Sequence, residues 1–185
     1  MSAPLQDDRI EIWRYIYARS SLIEAREAAK LLLVRRDLSD EVKRAIICQI
    51  VVAYARPFTK SQVTDSKRIQ PLAEDIVPVE FQDLHKEHLQ MRDRAFGHKD
   101  AVAFPSTTLN RVVVQVDDRG VEFHTISPFT MLDAGLQRTI TLCDRLMEHC
   151  ESKVKPYSQH FAAVTKGIYV LSLEHNPARW LLKDN

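Results

Sequence analysis

The segment MRDRAFGHKD, residues 91–100, brings together an arginine, a carboxylate and an imidazole within seven positions. Arg92, Asp93 and His98 are residue types, at a spacing, that could serve phosphate chemistry. A protonatable imidazole titrates near neutral pH, and a guanidinium is a fixed cation with several N–H donors. The alternative is an ordinary charged helix end, in which Arg92 and Asp93 bond across helices and His98 caps the helix.

A count of 100° per residue places Phe81, Leu84, His88 and Ala95 on one side of a helix, with Arg92 in the middle of that side. An arginine centred on an apolar stripe is unusual, because a buried guanidinium is costly unless it is paired. We therefore expect Arg92 to be bonded inside a helical bundle or held at a subunit interface facing a cleft.

His98 follows Arg92 by six positions. On an unbroken helix it would lie ~9 Å farther along the axis and about 120° around it, too far for both side chains to act on one phosphate. Gly97 changes this geometry, since a left-handed glycine can end the helix and fold His98 back. A second chain related by a two-fold axis could also supply a complementary Arg–His pair.

Helical patterns cover the first third of the chain. Residues 8–36 carry apolar groups at helical spacing and form one long helix, or two if residues 20–21 interrupt it. Ser39 or Asp40 caps a second helix, which Pro57 ends because the residue before a proline avoids the helical region.

The central and later segments predict two more helices. Residues 58–76 are polar and without a clear period, which indicates a loop or a connector of short turns. A third helix begins near Pro78 and runs to about Phe96. A fourth begins at Pro128 and keeps an apolar stripe until Pro156.

Two regions fall outside the helical pattern. RVVVQV, DDRG and VEFHTI predict a β-hairpin over residues 111–126, with Gly120 in its turn. In the uncertain tail, residues 157–185, GIYVLSLEH could be a strand and PARWLLKDN a short helix. We expect one mainly α domain spanning residues 1–185, a bundle of four or five antiparallel helices with an inserted hairpin.

Composition narrows the functional classes. The 185 residues include only four glycines, which favours helices, and carry a formal net charge of +1. No global basic field marks a nucleic-acid binder, so any RNA contact must come from a local patch.

The length of the apolar runs and the number of cysteines indicate in which cellular compartment we expect the protein. No apolar run approaches the ~20 residues that span a bilayer, and the first residues lack the layout of a secretory signal, so we expect no membrane association. Cys48, Cys143 and Cys150 are an odd number within helical patterns, which we interpret as reduced, packed thiols of a cytoplasmic protein.

Arg92-Asp93, four residues and then His98 resemble the R-[polar]-x4-H motif of the HEPN superfamily. The stretch AYARPF, residues 53–58, also looks like the end of the helix that precedes the motif helix in HEPN-like proteins. The resemblance covers about residues 8–155 at the level of helix order. It implies a HEPN-like antiparallel helical bundle.

Many HEPN proteins are metal-independent endoribonucleases of toxin or defence type that dimerise to form the active cleft. The resemblance implies that His98 is the general acid or base on the ribose 2′-hydroxyl, that Arg92 holds the scissile phosphate, and that Asp93 orients one of them. It implies no cofactor, a homodimer, an RNA substrate and, for a toxin, an antitoxin partner. RNA affinity would then depend on a basic set: Lys86, Arg92, Arg94, Lys99 and neighbours.

Other interpretations stay open beside this one. Tyr54 and Arg56 could reach the motif and bind substrate, or Tyr54 packs while Arg56 is a solvated helix-end cation. His85 and His88 share a helix face, but no glutamate or cysteine completes a usual metal set, so we expect no metal site. A non-catalytic HEPN-like module for binding or dimerisation is the alternative function.

Overall fold

The protein is mainly helical in a computed structural model that describes residues 6–64, 67–93, 112–117, 120–125, 133–161, 168–171 and 181–183. Four α-helices account for most of the described chain. They are α1 (Gln6–Val34), α2 (Asp40–Ala55), α3 (Gln82–Gln90) and α4 (Asp133–Val154). Within these described ranges, no helix is both long enough and apolar enough to cross a membrane.

Helix α1 is continuous, so the first of the two sequence interpretations is correct. Ser21 does not break it, because this side chain lies on the buried face, 1% exposed, among alanines and leucines. Ala18, Ala25 and Ala29 on the same face are at most 1% exposed. Their small side chains allow neighbouring helices to approach closely, so tertiary packing outweighs the weak helix propensity of serine.

The predicted boundaries of α2 are confirmed. Ser39 caps the helix, since its Oγ accepts a hydrogen bond of 3.5 Å from the Val42 amide. The α-helix ends at Ala55, and Pro57 lies in a following 3₁₀ turn, Arg56–Phe58.

The third helix differs from its prediction at its start. A 3₁₀ turn, Val79–Phe81, follows Pro78 and leads into α3, which is nine residues long. Beyond Gln90 the backbone widens into a π-helical turn over residues 91–93. The predicted end near Phe96 lies outside the described residues.

Helices α1 and α4 run antiparallel. Arg19 pairs with Glu151 and Arg26 with Asp144, so the later residue of one helix meets the earlier residue of the other. α3 contacts α2 through His85 and Tyr54, and it contacts α4 through His88 and Thr139. The short helix α3 therefore packs against two of the longer helices.

Two apolar clusters form the described core. The larger one joins α1, α2, α3 and α4 around Leu22, Tyr54, Leu84 and Leu146. The smaller one lies towards the α1–α2 turn, around Ile50 and other residues from all four helices: Ala29, Leu32, Ile47, Val51, Met91, Leu136 and Ile140. Burial of these side chains at ~25 cal/mol per Å² is the main stabilising contribution, and it holds the two ends of the bundle together.

Short antiparallel strand pairs occupy the connection between α2 and α3, the connection between α3 and α4, and the segment after α4. β1 (Ser61–Thr64) pairs with β2 (Lys67–Ile69), β3 (Val112–Asp117) with β4 (Gly120–Thr125), and β5 (Tyr169–Leu171) with β6 (Leu181–Lys183). The β3–β4 pair lies within the range predicted for a hairpin.

Two of these pairs differ from the sequence expectations. The first falls in the connector for which we expected only turns, because strands of four and three residues are too short to show a period. The third places residues 181–183 in a strand where we expected a short helix. Pairing with β5, 10 residues away along the chain at the nearest ends, decides that conformation rather than local propensity.

Candidate functional site

Arg92 lies in the π-helical turn that follows α3, and it is not buried. Its side chain is 39% exposed, and its Nη1 donates a hydrogen bond to Oδ1 of the adjacent Asp93. The expectation of an arginine bonded inside the bundle is therefore wrong for the single chain. The count of 100° per residue fails here because the backbone leaves α-helical geometry after Gln90.

The Arg92–Asp93 pair uses only part of the hydrogen-bonding capacity of the guanidinium. Asp93 is 57% exposed, so this is a surface ion pair of the kind worth roughly 0–1 kcal/mol. A guanidinium has five N–H donors, and only one of them is committed to Asp93 in this contact. The side chain is therefore compatible with binding an anionic ligand such as a phosphate.

Four other residues of the predicted site lie outside the described part of the chain: Arg94, Gly97, His98 and Lys99. The left-handed turn at Gly97 and the return of His98 towards Arg92 stay predictions. The last residue of this segment that the structure describes is Asp93.

Lys86 and Arg56, two predicted substrate contacts, are placed apart from Arg92. Lys86 is exposed on α3, six positions before Arg92 and therefore about 120° around an ideal helix. Arg56 is half-exposed at the end of α2, where its Nη1 donates to Glu24 Oε2 at 2.7 Å. Neither cation is brought next to Arg92 by the described contacts.

Tyr54 is fully buried, and the packed interpretation of this residue is the one that the structure supports. Its hydroxyl lies 2.8 Å from His85 Nδ1, and its ring contacts Phe58 and His88. A direct contact with a polynucleotide is not possible for a side chain with no exposed surface. Tyr54 instead links α2 to the helix that carries the motif.

His88 forms a second buried polar contact, to α4. Its Nε2 lies 3.0 Å from Thr139 Oγ1, and both residues have no exposed surface. The Thr139 hydroxyl donates to the carbonyl of Gly135 at 2.9 Å. Because the only hydroxyl proton is used there, Thr139 Oγ1 accepts from His88, whose proton is therefore on Nε2.

His85 forms one buried hydrogen bond, between its Nδ1 and the Tyr54 hydroxyl, and either group can be its donor. Its other ring nitrogen, Nε2, lies 4.0 Å from Glu74 Oε2. This distance is longer than a hydrogen bond. Nε2 of His85 and Nδ1 of His88 are buried and without a hydrogen-bond partner among the described residues.

Burial keeps both imidazoles neutral. It lowers the pKa of His88 to about 3, with a smaller contribution from neighbouring His85. Burial also lowers the pKa of His85, and this effect outweighs the opposing attraction of Glu74. The two rings therefore act as fixed hydrogen-bonding groups at neutral pH.

The sequence pattern predicted neither of these buried contacts. The available signal was that His85 and His88 share one face of a helix. Their partners, Tyr54 and Thr139, come from helices 31 and 51 residues away, which a local pattern cannot show. Among the described residues, no three metal-binding side chains are close enough to hold an ion.

The cysteines are packed thiols rather than nucleophiles. Cys143 has no exposed surface, and burial raises its pKa to about 12. Burial likewise raises the pKa of Cys150 to about 11 and that of partly exposed Cys48 above its ordinary value. Since the thiolate is the reactive form, none of the three is activated at neutral pH.

We found no family model, no curated protein and no solved structure that matches this chain. The resemblance to the HEPN superfamily therefore depends on the R-D-x4-H spacing and on the order of the helices.

Proposed function

We propose that this protein is a metal-independent endoribonuclease of HEPN type, of the toxin or defence class, that cleaves single-stranded RNA. The observation that carries the proposal is the position of Arg92. A half-exposed arginine follows the last α-helical turn of a short helix that packs against two longer helices, with His98 six residues later in the sequence.

The chemistry assigned to these residues is an internal transfer. His98 removes the proton of a ribose 2′-hydroxyl, whose oxygen attacks the adjacent phosphorus. Arg92 binds the phosphate oxygens and stabilises the charge that develops on them. The bond to the 5′-oxygen breaks, and that oxygen takes up the proton that His98 received, which returns His98 to its neutral form. The products are a 2′,3′-cyclic phosphate and a 5′-hydroxyl.

Asp93 has a supporting part in this scheme. Its contact with Arg92 holds one edge of the guanidinium, which restricts the rotamers that a long side chain would otherwise sample. The remaining N–H donors then face a smaller range of directions when a phosphate binds.

The proposal includes a homodimer in which two copies of the motif line one cleft. Such a cleft supplies a second set of cations to a chain whose formal net charge is only +1. The basic set Lys86, Arg94 and Lys99 would contact the RNA backbone in that assembly. For a toxin, an antitoxin protein would be a further partner.

The test compares purified wild type with Arg92→Ala and His98→Ala on single-stranded RNA in excess chelator. His98→Ala removes proton transfer and is expected to reduce the rate by roughly 10²–10⁴. Arg92→Ala is expected to cost about 3–4 kcal/mol of transition-state stabilisation if it acts like other oxyanion donors.

Lys30→Ala is a suitable control, since Lys30 is an exposed lysine of α1 engaged with Glu27 on its own helix. It removes one positive charge without touching the motif, so we expect wild-type rates. A wild type that is inactive on varied RNAs, or a His98→Ala variant that cuts equally well, contradicts the proposal.

A second candidate is a non-catalytic helical module that binds or dimerises through the same surface. The pairing of Arg92 with Asp93 favours it, because this contact satisfies part of the cation without any substrate. Such a module would bind its partner or dimerise without cleaving RNA, and Arg92→Ala would weaken that binding.

A further inference from the structure

Helix α3 is too short to be stable without contacts to its neighbours. It has nine residues, whereas isolated helices below ~12–15 residues are marginal in water. The direction of Arg92, which follows α3 directly, therefore depends on the contacts that fix α3 against its neighbours.

Two kinds of contact are available, and they differ in what they determine. Phe81 and Leu84 bury apolar surface, which is favourable but non-directional, so a helix can rotate slightly without losing it. His85 and His88 form hydrogen bonds to α2 and α4, and hydrogen bonds depend on distance and angle. These bonds resist rotation of α3 in a way that apolar packing does not.

The two buried histidines are not explained by stability alone. Each leaves one ring nitrogen without a hydrogen-bond partner among the described residues, and a buried polar atom without such a partner is unfavourable. A leucine at either position would avoid this cost. Buried polar groups that are retained in this way can specify one arrangement among several apolar ones.

We propose that His88 and Thr139 are positioning residues that fix the rotation of α3 and so aim Arg92, which lies four residues after His88, at its phosphate. This inference depends on the proposed function for its catalytic consequence, but the positioning itself can be measured separately. Thr139 is the more informative residue, since it lies on α4 and is remote in sequence from the motif.

The chain offers a matched control for Thr139. Thr141 is on the same helix, and its hydroxyl also donates to the carbonyl four residues earlier, at 3.1 Å from Gln137 O. Thr141 is exposed, whereas Thr139 is fully buried against His88. Thr139→Val and Thr141→Val therefore make the same chemical change, and only the first removes the acceptor of His88.

The experiment measures two quantities for wild type, Thr139→Val, Thr139→Ser and Thr141→Val. One is amide hydrogen exchange at residues 91–93 relative to the centre of α1. The other is kcat and KM for RNA cleavage. We expect Thr139→Val to speed exchange at 91–93 at least tenfold more than in α1, and to lower kcat at least tenfold with KM nearly unchanged. Thr139→Ser restores both, and Thr141→Val matches wild type.

The outcomes separate this inference from the proposed function. If wild type does not cleave RNA, the ribonuclease proposal fails, and the exchange data alone decide the positioning. If Thr139→Val raises exchange uniformly through all four helices, or behaves as Thr141→Val does, the positioning inference is overturned. Should Thr139→Val fail to fold, Thr139→Ala removes the same acceptor with a smaller side chain and is judged by the same two readouts.

Discussion

His88 is a neutral imidazole buried among the helices, so its protonation differs between the folded and the unfolded protein. Among the described residues, three groups face its ring from the packed elements: Tyr54 of α2, Thr139 of α4 and His85 of its own helix. None of them is an anion that could stabilise an imidazolium. A proton added to His88 would therefore place an unpaired charge in a site with no exposed surface.

The pH dependence of stability follows from that burial. The pKa of His88 is about 3 in the folded state, below its ordinary unfolded value near 6.5. Between these values the unfolded chain binds a proton that the native protein does not. The contribution of His88 to the free energy of unfolding should thus decrease as the pH falls from about 6.5 towards 3.

Urea unfolding at several pH values, for wild type and His88→Leu, measures this contribution. The variant should show a shallower loss of stability between pH 6 and pH 4, because one of the protons taken up on unfolding is gone. Superimposable pH profiles would show that His88 titrates alike in both states and that its burial has been misassigned.

At the scale of elements, the α1–α4 contact combines an apolar seam with ion pairs. Arg26 donates to Asp144 at 2.9 Å, with 25% and 45% of the two side chains exposed. Leu146 of α4 lies in the larger core cluster with no exposed surface. Solvent screens the first interaction, whereas the second removes apolar surface from water.

Two substitutions on α4 should therefore differ in cost. Asp144→Asn should lower the free energy of unfolding by no more than about 1 kcal/mol, since it breaks an exposed pair. Leu146→Ala should lower it by about 2–5 kcal/mol, because it leaves a cavity where all four helices meet. Equal costs in chemical denaturation would mean that charge, and not packing, joins these helices.

The sequence predicts the elements best where the signal is local. Ser39 and Pro57 mark the ends of α2 through short-range geometry, and both positions were predicted. The π-helical turn at Arg92 was not predicted, because the apolar periodicity of a single helix does not show where the backbone widens. The strand pair at 61–69 was missed because pairing with a neighbouring segment, not a run of residues, creates it.

The same distinction applies to the candidate site. Residue types and spacing single out Arg92, Asp93 and His98, but the exposure of Arg92 depends on backbone geometry beyond Gln90. The Tyr54–His85 and His88–Thr139 contacts arise only when three helices assemble. The sequence therefore identifies the proposed reactive groups. It does not identify the buried contacts that fix α3, the helix that precedes these groups in the chain.

At the scale of the whole molecule, the proposed cleft requires two chains. Sedimentation velocity at micromolar concentration should show a species of about twice the 21.3 kDa chain mass. The expected two-fold contact brings together the half-exposed motif turns of two copies. A single 21.3 kDa species across the concentration range would exclude a stable dimeric cleft.

The central claim is that the RNA's own 2′-hydroxyl is the nucleophile and that no metal takes part. The most direct measurement offers the protein one single-stranded RNA and its fully 2′-O-methylated counterpart, both in excess chelator, and identifies product ends by mass spectrometry. The account predicts that only the unmodified RNA is cut, leaving a 2′,3′-cyclic phosphate and a 5′-hydroxyl. Cleavage of the methylated strand, 3′-hydroxyl products, or activity that appears only when a divalent metal is restored would contradict it.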